Sequence, residues 1–180
     1  MRLLIILFLT LNLSADMKQN MFNLYQNEKY ENVCQLGFDN FRANKKDEEF
    51  ISLYALACLK SDYIDRLAIP IALLKQSPEA RANSAYFSVI LMQKKLLYHA
   101  LVDNYNLSTI KLPSTEYILS KIFDLYSKLP KHTTRAFYLF EDNKDKRITY
   151  KLYLVEDYKH KKMIIEKYYD KVKIKEHIYW

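Results

Sequence analysis

The spacing of apolar residues changes once along this chain, and that change fixes the fold class. Up to Leu129 apolar side chains recur every three or four positions, as on one helix face; after Pro130 they alternate, as on a strand with one covered face. The chain therefore reads as α+β. Residues 16–130 form helical hairpins, six to seven helices in all, and 131–180 form an antiparallel meander of three to four strands packed on the last helix. Half of the 180 residues are apolar, enough to bury a real core.

Within the helical part, caps and prolines mark the breaks. A first helix is expected over 17–27 and a second over 29–43, with Tyr30, Val33, Cys34, Gly37 and Phe41 on one face. Asn44-Lys45-Lys46 is a polar turn, and Asp47 caps a third helix whose stripe is Phe50, Leu53, Tyr54, Ala57 and Cys58. Ser61-Asp62 ends that helix and caps a fourth, in which Pro70 predicts a kink or split near Ile69. Ser77-Pro78-Glu79 is a strong helix start. The stretch 78–103 reads as two helices meeting near Lys94-Lys95, although neither Gly nor Pro marks the break. A loop covers 104–113. Ser114 is then expected to cap a last helix lined by Ile118, Leu119, Ile122, Phe123, Tyr126 and Leu129.

In the second part, strands are expected at 134–141, 147–156, 162–169 and 172–180, with a polar turn over 142–146. The second strand puts Ile148, Tyr150, Leu152 and Leu154 on one face. The fourth puts Val172, Ile174, Ile178 and Trp180 on one side, against Lys173, Lys175, His177 and Tyr179 on the other.

One positive charge, an apolar run from Leu3 to Leu9 and small residues at Ser14-Ala15 have the layout of a secretory signal over 1–15, cleaved after Ala15. Usage rich in Tyr, Lys, Asn and Ile points to an AT-rich bacterial genome, so the expected location is the periplasm. No stretch reaches the roughly 20 apolar residues of a membrane span. Export would place Cys34 and Cys58 in an oxidising compartment, where a disulfide is the favoured reading and two buried thiols the other.

Leu24-Tyr25-Gln26-Asn27-Glu28-Lys29-Tyr30 and Ala57-Cys58-Leu59-Lys60-Ser61-Asp62-Tyr63 share a layout 33 positions apart, each crossing from one helix into the next. A third copy is read at Leu91–Leu97, followed by Ala100. On these residues, over 17 to about 107, the chain resembles a degenerate tetratricopeptide protein, whose period is about 34 residues. Tyr30 and Tyr63 match that family's aromatic at the start of the second helix, and Leu97 departs from it. Met21 and Tyr54 stand where small residues are usual. The style is also similar to periplasmic scaffold proteins of epsilonproteobacteria, some of which build disks around polar flagellar motors.

Chemistry is sparse. A single glycine, Gly37, excludes Gly-rich phosphate cradles, and no hydrolase elbow, His-Glu-x-x-His or Cys-x-x-Cys occurs, so no enzyme, cofactor or metal is expected. His99 and Asp103, four apart on a helix, read as a surface hydrogen-bonding pair. No Arg, Lys or His is arranged in the sequence beside either cysteine. The resemblance implies a protein-interaction or scaffolding module for another envelope protein or scaffold subunit, with Tyr25, Tyr54, Tyr86 and Phe87 as candidate contacts. The alternative is an envelope protein that binds an anionic glycan or lipid. The chain's formal charge is +7, and its basic sheet offers Lys151, Lys167, Lys173 and Lys175 for that role. Export excludes nucleic acid.

Overall fold

The computed structural model describes residues 16–158 and 160–180. The expected export signal lies outside them. Among the described residues six α-helices precede a four-stranded antiparallel sheet, as the change of period predicts. The chain divides into two compact units, split within one long helix at Phe87/Ser88 rather than at Pro130.

In the first unit, α1 covers 16–26, α2 Tyr30–Asn40 and α3 Glu48–Lys60; a 3₁₀ turn, Ile64–Leu67, leads into α4, Ala68–Leu73. The ends of α1 and α3 close in the same way. Glu28 and Asp62 adopt left-handed φ of 57° and 65°. Lys29 N donates to Leu24 O and Glu28 N to Tyr25 O; Tyr63 N donates to Cys58 O and Asp62 N to Leu59 O. Both are Schellman turns, built here without glycine. Asp62 thus terminates α3 instead of capping the next helix. The residues that follow have nearly equal dihedrals, −80°/51° at Lys29 and −78°/58° at Tyr63. The structural repeat therefore pairs Glu28 with Asp62, one position off the 33-residue register read from the sequence.

α2 and α3 pack closely because position 37 has no side chain. A Cβ on Gly37 would lie 2.4 Å from Cδ2 of the buried Tyr54 ring. Near that crossing the Cα atoms of Cys34 and Cys58 come within 4.7 Å and the two are joined by a disulfide. Asp47 caps α3 by accepting from Phe50 N at 3.0 Å. The split before α4 falls at Leu67/Ala68, so Pro70 sits in the first turn of α4, where no intrahelical N–H is lost.

α5 is one continuous helix, Pro78–Asp103, and not two. Its start is as expected, with Ser77 Oγ accepting from Ala80 N. The polar pair that suggested a break is misleading because Lys94, like its neighbour Gln93, is buried and partnered. Gln93 Nε2 donates to Pro113 O and Ser120 Oγ, and Lys94 Nζ donates to the main-chain oxygen of Trp180. The proposed third repeat, 91–97, therefore lies inside α5 and contains no turn.

The second unit contains the rest of α5, helix α6 (Ile118–Ser127) and strands β1 Tyr138–Glu141, β2 Ile148–Asp157, β3 His160–Tyr169 and β4 Val172–Tyr179 in the order 1-2-3-4. Ser114 does not cap α6; its hydroxyl donates to Asp124, and Ser120 Oγ accepts from Thr115 N. β1 begins four residues later than expected. The inner sheet face buries Tyr138, Phe140, Tyr150, Leu152, Met163 and Ile165, and α6 covers it. Tyr126 meets Tyr138 edge-on at 5.1 Å, and Lys121 pairs with Asp142 at 2.5 Å. Asp142 is the polar centre of this unit. Its carboxylate also accepts from Tyr150 OH and from the N–H groups of Lys144 and Asp145. Although burial alone would raise its pKa, these donors hold it well below the usual carboxylate range.

β4 departs from the expected sidedness. Its buried side chains are His177 and Tyr179, whereas Val172, Ile174, Ile178 and Trp180 are exposed. Strict alternation also fails. Pairing shifts between Lys167/Tyr168, so that Lys175 faces Lys167 while Lys173 faces Tyr168, leaving Ile174 as the extra residue of a bulge.

Candidate functional site

Two neighbouring clefts open on the first unit. The first, about 430 Å³, is lined by Lys18, Gln19 and Phe22 of α1 with Glu49 and Leu53 of α3. The second, about 640 Å³, shares Glu49 and runs between the start of α3 and the start of α5 along Asp47, Glu48, Ser52, Glu79 and Asn83. The spacings 18/22 and 49/53 are helical i, i+4 pairs, so each helix presents two successive turns to the cleft.

The cleft's polar groups are fixed from within. Lys18 Nζ bridges Asp47 and Glu49 at 2.9 and 2.8 Å. Glu48 accepts from the main-chain N–H groups of Lys75, Gln76 and Ser77. Those bonds, the one from Gln76 foremost, pull its pKa from 4.5 down to about 2. The loop before α5 is thereby tied to the start of α3. Four carboxylates, Asp47, Glu48, Glu49 and Glu79, face Lys18 and Lys46, which makes this lining acidic in a chain of charge +7.

The aromatic contacts expected from the sequence separate. Tyr54 and Phe87 are fully buried and do not reach a partner; Tyr54 packs on Gly37, and its phenol, pushed up to about 12 by burial, donates to Arg66 O. Tyr25 and Tyr86 are half-buried, each edge-on to another ring, Tyr30 and Phe87. Of the two apolar residues that line the cleft, Phe22 was not singled out in the sequence and Leu53 was read only as part of the stripe of α3. The signal was available in their i+4 relation to Lys18 and Glu49.

The four candidate lysines do not form one basic patch. Lys151 and Lys173 are on the outer sheet face, where Lys173 pairs with Glu166 at 3.2 Å and Glu176 at 2.7 Å, and Lys151 lies 3.9 Å from Glu166. Lys167 and Lys175 face each other across β3 and β4, in the row next to the Glu166–Glu176 row and so on the opposite face. Side chains gather around Glu166, which Tyr168 and Lys173 hold in its charged form against the effect of burial.

No cation is arranged beside the cysteines in the local sequence, but the fold brings Arg66 to them. Its guanidinium lies between the Phe38 and Tyr63 rings, at 4.5 and 4.8 Å, and donates to Cys34 Sγ at 3.5 Å and Gln35 Oε1 at 3.0 Å. No sequence spacing announces a contact across 32 positions. Both cysteines are fully buried, which suits a structural bond rather than exchange chemistry. His99 and Asp103 form the expected pair at 2.8 Å, with His99 stacked on Tyr105. Among the described residues no three His, Cys, Asp or Glu side chains gather as a metal site, and no helix is long and apolar enough to cross a membrane.

Comparison with protein-family models, with curated proteins and with solved structures finds no match to this chain.

Proposed function

We propose that this chain is an exported protein-interaction module of a bacterial envelope, a degenerate tetratricopeptide-like scaffold that holds a segment of another envelope protein in the α1/α3/α5 cleft. One observation carries the reading: two adjoining clefts with an apolar wall, Phe22 and Leu53, beside an acidic one, Glu49 and Glu79. The segment that fits has an apolar side chain flanked by Lys or Arg. The Cys34–Cys58 disulfide supports an oxidising compartment. The alternative, a basic sheet holding an anionic glycan or lipid, has less support, because two of its lysines are engaged by carboxylates and the other two lie on the opposite face.

Crosslinking in intact cells, followed by capture of a C-terminally tagged chain and mass spectrometry of its N-terminus and its partners, tests the reading. A processed start at Asp16 with envelope proteins attached supports it. An intact Met1 with cytoplasmic partners overturns it. A Leu53→Lys variant separates the two binding modes, since it abolishes capture in the cleft and leaves binding to a basic sheet face unchanged.

A further inference from the structure

The outer face of the sheet carries an apolar band across its width. Tyr153 of β2 lies opposite Ile164 of β3, which lies opposite Ile178 of β4. Lys151 places Phe137 on the same face, since its ammonium lies over both the Phe137 and Tyr153 rings, at 5.2 and 4.8 Å. Leu139 and Val155 flank the band in the adjacent rows. Exposure is high for side chains of this kind: Leu139 65%, Phe137 46%, Val155 42% and Ile178 37%. Ile164, at the centre, is itself buried at 5% exposure and Tyr153 is half-buried, so the exposed apolar surface is the ring of Phe137, Leu139, Val155 and Ile178 around them. Scattered apolar residues need no explanation, but four gathered on one sheet face mark an interface.

We propose that this face binds the same face of a second copy, forming a two-fold symmetric, sheet-on-sheet dimer. Charge selects that occupant. Two chains of +7 repel each other over most of their surfaces, whereas register places Lys151, Lys162 and Lys173 on this face with Glu141, Asp157, Glu166 and Glu176. Three cations against four carboxylates leave it close to neutral. Most of these groups are already paired on the face, Lys162 with Asp157 at 3.0 Å and Lys173 with Glu166 and Glu176, so little charge is stripped of its partner when a second copy covers it. Four strands about 4.8 Å apart and about eight residues long give roughly 500 Å² per copy, below the ~800 Å² of a tight complex. An interface of that size is at the small end for a specific complex, so the dimer is expected only as concentration rises.

Sedimentation of the full chain over a range of concentrations, with Leu139→Lys and Ile178→Lys variants, tests this proposal. Both side chains are exposed, and circular dichroism and melting curves establish that each variant folds. The expected result is a monomer that becomes a dimer as concentration rises and is strengthened by added salt, which screens the repulsion between two +7 chains, while both variants remain monomeric. A wild-type chain that stays monomeric at hundreds of micromolar overturns the proposal, as does a dimer that survives both substitutions. So does capture of an unlike protein by this face in place of a second copy. The proposal does not depend on the helical cleft: Leu53→Lys is expected to abolish partner capture and leave the dimer intact, so either reading can fail alone.

Discussion

Gly37 and Tyr54 form a matched pair in which one residue is small because the other is large. With a Cβ at position 37 falling 2.4–2.5 Å from three atoms of a fully buried tyrosine, Gly37→Ala is expected to cost about 2 kcal/mol by overpacking, despite the better helix propensity of alanine. Urea unfolding measures this, and a neutral or stabilising result would show that α2 and α3 can move apart. Asp142 is the corresponding polar position. It is almost wholly buried and accepts from Lys121, Tyr150 and two main-chain N–H groups, so Asp142→Asn is expected to destabilise by about 3 kcal/mol, again read in urea. Glu48 supplies a pH dependence. Its folded pKa, about 2, lies below the ordinary 4.5, so its contribution is complete above pH 4.5 and is lost as pH falls towards 2. Glu48→Gln should flatten the fall in melting temperature over that window relative to wild type; equal slopes would mean that the three N–H bonds contribute nothing. At this scale the sequence showed residue types and not environments. Tyr54 and Phe87 looked like contact aromatics because periodicity places them on a face without saying what covers that face, and Arg66 reaches Cys34 only through the turn after α3.

The turns are built from residues ill-suited to their backbone angles. Glu28 and Asp62 close helices in the left-handed region, and Asp170 and Lys171 have φ of 46° and 68° in the two-residue connection between Tyr169 and Val172. That connection has the signs of a type I′ turn, for which Asn-Gly is preferred. The double change Asp170→Asn, Lys171→Gly is therefore expected to stabilise the sheet unit by about 1 kcal/mol, and Glu28→Gly to do the same for the first helical turn. Thermal melts of each variant check both, and lower melting temperatures would contradict the turn assignment. Element type was largely legible in the sequence, because the helical and alternating periods differ and Asp47 and Ser77 cap as read. What misled was polarity used as a boundary signal. Lys94-Lys95 suggested a break in α5 where Lys94 is in fact buried on a main-chain oxygen, and the bulge at Ile174 broke the alternation on which the fourth strand's sidedness depended.

For the whole molecule, the change of period at Pro130 separates the last helix from the strands, whereas compactness divides the chain inside α5, where no composition shift occurs. A helix shared by two units has the periodicity of one helix, so the sequence had no means of announcing that division. The disulfide lies entirely in the first unit and closes a separation of 24 residues. Replacing both cysteines with alanine should lower the stability of that unit by about 3 kcal/mol, and reduction of the wild-type protein should reproduce most of the loss. Unfolding that is unchanged by reductant would make the bond incidental. The most direct test of the interaction reading is site-specific photocrosslinking in cells, with the photoreactive residue placed in turn at Gln19 and Phe22 in the cleft and at exposed Lys60 outside it. Adducts to an envelope protein from the two cleft positions and none from Lys60 are the predicted result; no adduct from the cleft, or equal labelling at all three positions, would contradict it.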